Sequence, residues 1–143
     1  MRVLFDTDVV LDLLFDRQPF STPAADLFSR VERGEIHGYL CATTVTTVHY
    51  LAAKVVGTRR ARIEVRRLLT LFEVAPVNRP VLEAALTGAF TDFEDAVIHE
   101  AARHVDAQAI VTRNTRNFKR SVIPIHAPSE LLRILEVNHE TGG

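Results

Sequence analysis

Short apolar runs alternate with longer stretches of helical periodicity along the chain. Residues 2–5 are too short and too apolar for an isolated helix, so they predict a buried strand. The other predicted strands are residues 37–42, 73–77, 109–112 and 122–125. Helices are predicted over residues 9–15, 22–34, 43–56, 58–72, 78–86, 92–105 and 128–135. This alternation predicts an α/β fold of three layers, in which a central, mostly parallel sheet carries helices on both faces.

Length and composition favour one globular domain. The chain has 143 residues, of which 47% are apolar and 24% charged. We expect a single domain over residues 1–137 and a mobile, polar tail over residues 138–143. The net charge of -1 gives no global case for nucleic-acid binding. A single cysteine, Cys41, excludes an internal disulfide, and no apolar stretch suits a signal peptide or a membrane span, so we expect a cytoplasmic protein without a membrane partner.

Carboxylates stand where predicted elements begin or end. Asp6 and Asp8 follow the first strand directly, and Asp92, Glu94 and Asp95 open a helix. Each group alone has an ordinary explanation, as a turn former or as favourable charge in the first turn of a helix. Both groups together in a chain of alternating strands and helices favour a site for a hard cation such as Mg²⁺ or Mn²⁺.

The predicted topology gives these acids a common meeting place. In open parallel sheets the ligand crevice lies beyond the carboxyl ends of the strands. Asp6 follows the first strand, and Arg113 and Asn114 follow the strand over residues 109–112. If both strands are central, we expect these residues to meet at the crevice, where the helix that opens at Asp92 can join them.

Four segments in order resemble a PIN domain, and the branch related to the bacterial VapC toxins in particular. They are FDTDVVLD at 5–12, TTVTTVHYL at 43–51, DFEDA at 92–96 and IVTRNTRNF at 110–118. The resemblance extends over nearly the whole chain. It implies a ribonuclease that depends on Mg²⁺ or Mn²⁺ and hydrolyses RNA phosphodiester bonds, and for the VapC branch it implies the toxin of a toxin–antitoxin pair.

The resemblance also implies roles for individual residues. Asp6 and Asp95 match the family's metal-binding acids, and Asp92 is expected to be a further ligand or to orient the attacking water. Asn114 stands in a loop where the family often has an aspartate. The residues 43–53 contain no acid, although the family usually has a glutamate there. Supporting roles are expected for Thr7, Asp8 and Thr112, and phosphate contacts for Arg113, Arg116 and Lys119.

The missing acids leave other functions open. A PIN fold without two of its usual acids could bind RNA or a protein without cutting it. The segment FDTDV at 5–9 also resembles the opening motif of haloacid-dehalogenase-type phosphatases, although residues 87–91 before the second acidic cluster form no convincing strand. The expected partners are RNA and a cognate antitoxin, and the resemblance implies a homodimer.

Overall fold

The computed structural model describes residues 1–142, with side chains through Asn138. Within this part of the chain, five strands and seven α-helices alternate. The strands are β1 (Arg2–Phe5), β2 (His37–Cys41), β3 (Glu73–Ala75), β4 (Ala109–Val111) and β5 (Ile125–His126). The helices are α1 (Thr7–Leu14), α2 (Ser21–Glu32), α3 (Ala42–Val56), α4 (Thr58–Leu71), α5 (Arg79–Thr87), α6 (Phe93–His104) and α7 (Pro128–Gly142), and a 3-10 turn covers Thr115–Phe118.

The strands form one sheet in the order β3-β2-β1-β4-β5, and every pairing is parallel. Strand β1 is central, with Leu4 opposite Tyr39 on β2 and Ile110 on β4. The chain adds β2 and β3 on one side of β1 and then returns to place β4 on the other side. This reversal creates a topological switch point at the carboxyl ends of β1 and β4, where ligand crevices form in such sheets.

Two apolar layers cover the two faces of the sheet. Val3 and Phe5 pack on one face with residues of α1, α2 and α7, whereas Leu4 and Ile110 pack on the other with α5 and α6. The predicted α/β fold of three layers with a parallel sheet is therefore confirmed.

Three aromatic rings, Phe5, Phe28 and Phe72, lie edge to face at centroid distances of 5.1–5.6 Å beneath the end of β1. On β2, Gly38 makes room for them, because a Cβ there would lie 2.6 Å from the ring of Phe72. The end of β1 is thus supported by a closely packed cluster directly below Asp6.

Several predicted bounds were wrong. The last strand was predicted at residues 122–125, but β5 covers Ile125–His126. Val122 is 73% exposed, and the Ser121 hydroxyl binds both the N–H and the carbonyl of Ile123 in a local turn. Helix α2 begins at Ser21 without a side-chain cap, rather than at a Thr22 cap.

The last helix continues beyond the predicted end at residue 135 as far as Gly142, through most of the segment expected to be a tail. The mobility of residues 138–143 stays a prediction, and residue 143 lies outside the described residues. None of the helices in the described part is long and apolar enough to cross a membrane.

Candidate active site

Asp6 lies at the junction of β1 and α1. Its backbone N–H donates to the Val111 carbonyl at 2.9 Å, which extends the pairing of β1 with β4 by one residue. Its carboxylate caps α1 by accepting from the Thr7 N–H at 2.8 Å. The side chain is buried, and burial is the main reason why the pKa of Asp6 is raised.

Thr112, directly after β4, holds this carboxylate from the other side. Its hydroxyl is buried and donates to Asp6 Oδ2 at 2.7 Å. The hydroxyl oxygen of Thr112 in turn accepts a hydrogen bond from the Asn114 N–H at 3.0 Å, while its single proton is donated to Asp6. The loop after β4 therefore fixes the orientation of Asp6 through a residue 106 positions away.

Asp8 occupies the first turn of α1 beside Asp6. Its Oδ2 accepts from the Arg113 N–H at 3.1 Å, but its Oδ1 is buried and has no hydrogen-bond partner. Burial first, and then the negative charge of Asp6, raise the pKa of Asp8 to about 6. An unpartnered buried carboxylate oxygen is rare in folded proteins and indicates that a ligand belongs there.

The start of α6 contributes the third carboxylate. Asp92 caps the helix, because its Oδ1 accepts from the Asp95 N–H at 2.9 Å. Asp95 then faces the crevice from the first turn. Burial and, after it, the charge of Asp92 raise the pKa of Asp95 to about 6, although a hydrogen bond from the Asn117 side chain opposes the shift.

These groups surround a cleft of about 540 Å³. Of the residues predicted for the site, the structure brings Asp6, Thr7, Asp8, Asp95 and Asn114 together on its wall. Asp92 and Thr112 do not line the cleft. Asp92 caps α6, and Thr112 holds the Asp6 carboxylate. The other lining residues are Leu11, Arg17, Thr43, Thr46, Thr47, Leu82, Phe93, Glu94, Val97 and Ile98.

Arg113, in the loop after β4, contacts Asp8 through its N–H and Asp12 through its side chain. Its Nε and Nη2 bind the two carboxylate oxygens of Asp12, with Nη2 3.1 Å from Oδ1. Its guanidinium also lies 4.0 Å from the ring centroid of Phe20. The hydrogen bond to Asp12 raises the pKa of Arg113. One edge and one face of the guanidinium are therefore occupied, and a contact of Arg113 with phosphate stays a prediction.

Sequence reasoning missed several residues of the cleft. Where the family usually has a glutamate, α3 presents the threonines Thr43, Thr46 and Thr47. Glu94 belongs to the acidic cluster at the start of α6, so its place in the cleft could have been predicted from its neighbours Asp92 and Asp95. Arg17 gave no such signal, since it stands in a loop and reaches the cleft only through the fold.

The donor set fits a hard divalent cation. Carboxylate and amide oxygens line the cleft, and the unpartnered Oδ1 of Asp8 offers a ready ligand atom. No group of three His, Cys, Asp or Glu side chains among the described residues is already gathered as a metal site. A bound ion would offset the burial and, after it, the mutual repulsion that raise the pKa values of these carboxyls.

A parallel three-layer α/β domain with carboxylates at its switch point is the architecture of metal-dependent nucleases of the PIN type. The family model described as "PIN domain" matches residues 2–116, and this chain belongs to that family. A search among curated protein sequences found no match. The predicted family is thus confirmed.

Solved structures with a similar fold include toxin–antitoxin proteins. DNA-bound VapBC from Salmonella typhimurium has a TM-score of 0.69 at 17% identity, over 90% of this chain and 98% of that one. FitAcB from Neisseria gonorrhoeae has a TM-score of 0.68 at 21% identity, over 89% and 98%. VapC20 from Mycobacterium tuberculosis, a toxin that cleaves the sarcin–ricin loop, has a TM-score of 0.60 at 18% identity, over 76% and 86%. The resemblance to the VapC branch is therefore confirmed in the fold.

Proposed function

We propose that this chain is a ribonuclease that hydrolyses RNA phosphodiester bonds with Mg²⁺ or Mn²⁺. The observation that carries the proposal is the meeting of Asp6, Asp8 and Asp95 in one cleft, with an unpartnered oxygen on Asp8. Carboxylates with pKa values near 6 or raised by burial destabilise the fold unless a cation offsets their charge. Such an arrangement serves binding at the expense of stability.

Each carboxylate has a defined task in this proposal. Asp6 and Asp95 hold the metal, and Asp8 offers it Oδ1. When bound, the ion polarises the scissile phosphate and lowers the pKa of the attacking water. Asp92 positions Asp95 by capping α6, and the Thr112 hydroxyl and the Thr7 N–H keep Asp6 in one orientation. The Asn114 side chain, on the wall of the cleft, orients the attacking water.

The biological setting proposed is that of a toxin. Proteins of similar fold occur in toxin–antitoxin complexes. We infer that this chain also has a cognate antitoxin, which inhibits it by covering the acidic cleft, and that it acts as a homodimer on cytoplasmic RNA. Co-expression with the neighbouring gene product and co-purification would test the antitoxin.

A second candidate is a PIN domain that binds RNA without cutting it. The neutral threonines on α3 favour it, because they remove one negative charge from the metal site. The two candidates differ in metal binding, since a pure binding module has no need for the acids of the cleft. The phosphatase alternative has no support, because Asp92 and Asp95 open a helix rather than follow a strand.

The decisive experiment is cleavage of a mixed panel of labelled RNAs with Mg²⁺ or Mn²⁺. We expect cutting by the wild type and its loss in both Asp6→Asn and Asp95→Asn, since each change removes a ligand charge. The matched control is Asp106→Asn, which removes the same charge from an exposed residue before β4, at the opposite end of the strand from Thr112.

Cutting that survives both substitutions would contradict the site assignment. Absence of cutting by folded, antitoxin-free wild type would favour the binding module. Calorimetric titration with Mn²⁺ then shows whether such an inactive protein still binds the ion, because it measures binding without turnover.

A further inference from the structure

A second concavity lies beside the acidic cleft. It has a volume of about 250 Å³ and is formed by the loop before α6 and by the 3-10 turn after β4. We call it the cationic cleft and define it by its lining residues, which are Ala89, Phe90, Thr91, Arg116, Asn117, Lys119 and Arg120.

Three cations surround this small space. Arg116, Lys119 and Arg120 are all exposed, and none forms an ion pair within the described part of the chain. Arginines elsewhere are often engaged: Arg113 by Asp12 and Arg60 by Glu64. In a chain with a net charge of -1, three unpaired cations around one concavity create a local site for anions.

The cationic cleft adjoins the acidic cleft through Asn117. This residue lines the cationic cleft, and its side chain lies close enough to Asp95 to lower the pKa of that carboxyl. Thr91, also on its wall, directly precedes the Asp92 cap of α6. Asn117, together with Thr91 and Asp92, therefore separates the two clefts.

The aromatic residue of the cationic cleft is not available for stacking on a base. The Phe90 ring packs between His99, at 4.7 Å between centroids, and Phe118, at 5.7 Å. Recognition therefore relies on charge, and contact with backbone phosphates carries no sequence information.

We propose that the cationic cleft binds backbone phosphates of single-stranded RNA next to the scissile bond. This inference builds on the proposed ribonuclease function and gives its substrate a direction across the surface, from the acidic cleft over Asn117 to the 3-10 turn. A single strand is flexible enough to bend from one cleft into the other, and its phosphates meet the three cations.

Fluorescence anisotropy with a short labelled single-stranded RNA tests the inference in EDTA, where no metal-dependent cleavage occurs. The variant is Arg116→Gln/Lys119→Gln/Arg120→Gln in the full chain. Its matched control is Arg59→Gln/Arg62→Gln/Arg66→Gln on α4, three exposed arginines for which no ion pair is found among the described residues. Both variants lose the same charge, and circular dichroism verifies that both are folded.

We expect the cleft variant to raise Kd by about tenfold or more at low salt and the control to change it by less than about twofold. Each phosphate contact on a single strand contributes about 0.7 to the slope of log Kd against log salt, so the slope of the cleft variant should fall by about 2. The loss should be equal for RNAs of different sequence. The charge-conserving variant Arg116→Lys/Arg120→Lys should keep most of the wild-type affinity, since all three positive charges remain.

Equal losses in both triple variants would overturn the inference, because they would show a dependence on net charge alone. Absence of RNA binding by the wild type would overturn it as well. Duplex RNA that binds as tightly, with the same loss in the cleft variant, would contradict the assignment to a single strand. The binding result remains interpretable if the wild type cuts no RNA, in which case only the ribonuclease proposal fails.

Discussion

Asp8 and Asp12 occupy the same helix one turn apart, yet their surroundings are opposite. Asp12 is 1% exposed, and Arg113 binds both of its carboxylate oxygens. A second cation is also near, since Arg17 Nη1 lies 3.6 Å from Asp12 Oδ1. Asp8 has one oxygen bound to a backbone N–H and the other buried without a partner, and its pKa is raised to about 6.

The difference separates a structural carboxylate from one available for a ligand. Arg113 contacts both acids, but its guanidinium binds Asp12 directly and only its N–H binds Asp8. Loss of one partner from a buried ion pair leaves an uncompensated charge and lowers stability, whereas a buried carboxylate with no directly bound cation lowers stability until a cation binds. The following changes test this distinction.

The largest expected effect is on catalysis. Asp8→Asn should reduce metal-dependent RNA cleavage by more than the roughly 10- to 100-fold that is typical of changes around metal ligands. The reason is that it removes the charge whose Oδ1 is open to the ion. Initial rates at saturating metal measure this effect. A rate within a few-fold of the wild type would show that Asp8 has no part in the site.

The next effect is on stability, and it concerns the other carboxylate. Asp12→Asn should lower the free energy of unfolding by about 3 kcal/mol, because it leaves the guanidinium of Arg113 without its charge partner. Urea unfolding measures this loss. The control is Asp26→Asn, whose partner Arg30 lies 3.5 Å away and whose side chain is 47% exposed; this change should cost less than about 0.5 kcal/mol. Equal losses in both variants would mean that burial of the Asp12 pair has no special importance.

The smallest effect has the opposite sign and depends on pH. The pKa of Asp8 rises from 3.8 to about 6 on folding, so the native state binds its proton more tightly than the unfolded state does. The associated stability is present below pH 3.8 and is lost as the pH rises through about 6. Asp8→Asn should therefore stabilise the metal-free protein by about 1 kcal/mol near pH 7.5, with the gain vanishing toward pH 4.

Thermal unfolding in EDTA at several pH values checks this third expectation. Asp95, whose pKa is also about 6, should behave similarly when replaced by asparagine. A loss of stability in Asp8→Asn at neutral pH would contradict the interpretation of Asp8 as an uncompensated charge. Addition of Mn²⁺ should remove the advantage of the variant, since the ion stabilises only a protein that retains the carboxylate.

The fold was largely predictable because its signals are local. The apolar run that forms β1 and the glycine that separates α3 from α4 act within a few residues. The errors arose where local signals were weak. Val122 is apolar but exposed beside a serine turn, and α7 continues after Leu135 through a segment in which Val137 is the one apolar residue before Asn138.

The site was predictable only in part, for a physical reason. Asp6 and Asp95 were identifiable from element ends and from the family resemblance, and their roles stay a proposal. The engagement of Arg113 with Asp12 depends on two residues 101 positions apart, which no local pattern connects. The same is true of the hydrogen bond between Thr112 and Asp6 and of the approach of Asn117 to Asp95. Contacts between residues distant in sequence therefore determine which charged side chains have a partner and which do not.

The central place of β1 also has a consequence for synthesis of the chain. Among the five strands β1 is synthesised first, yet its second edge is paired only once β4 is present, and Asp6 is held only once Thr112 is present. An incomplete nascent chain therefore carries Asp6 and Asp8 without the groups that orient them. If the chain is the proposed nuclease, the order of the strands delays assembly of its site until residues 109–112 have been synthesised and have paired with β1.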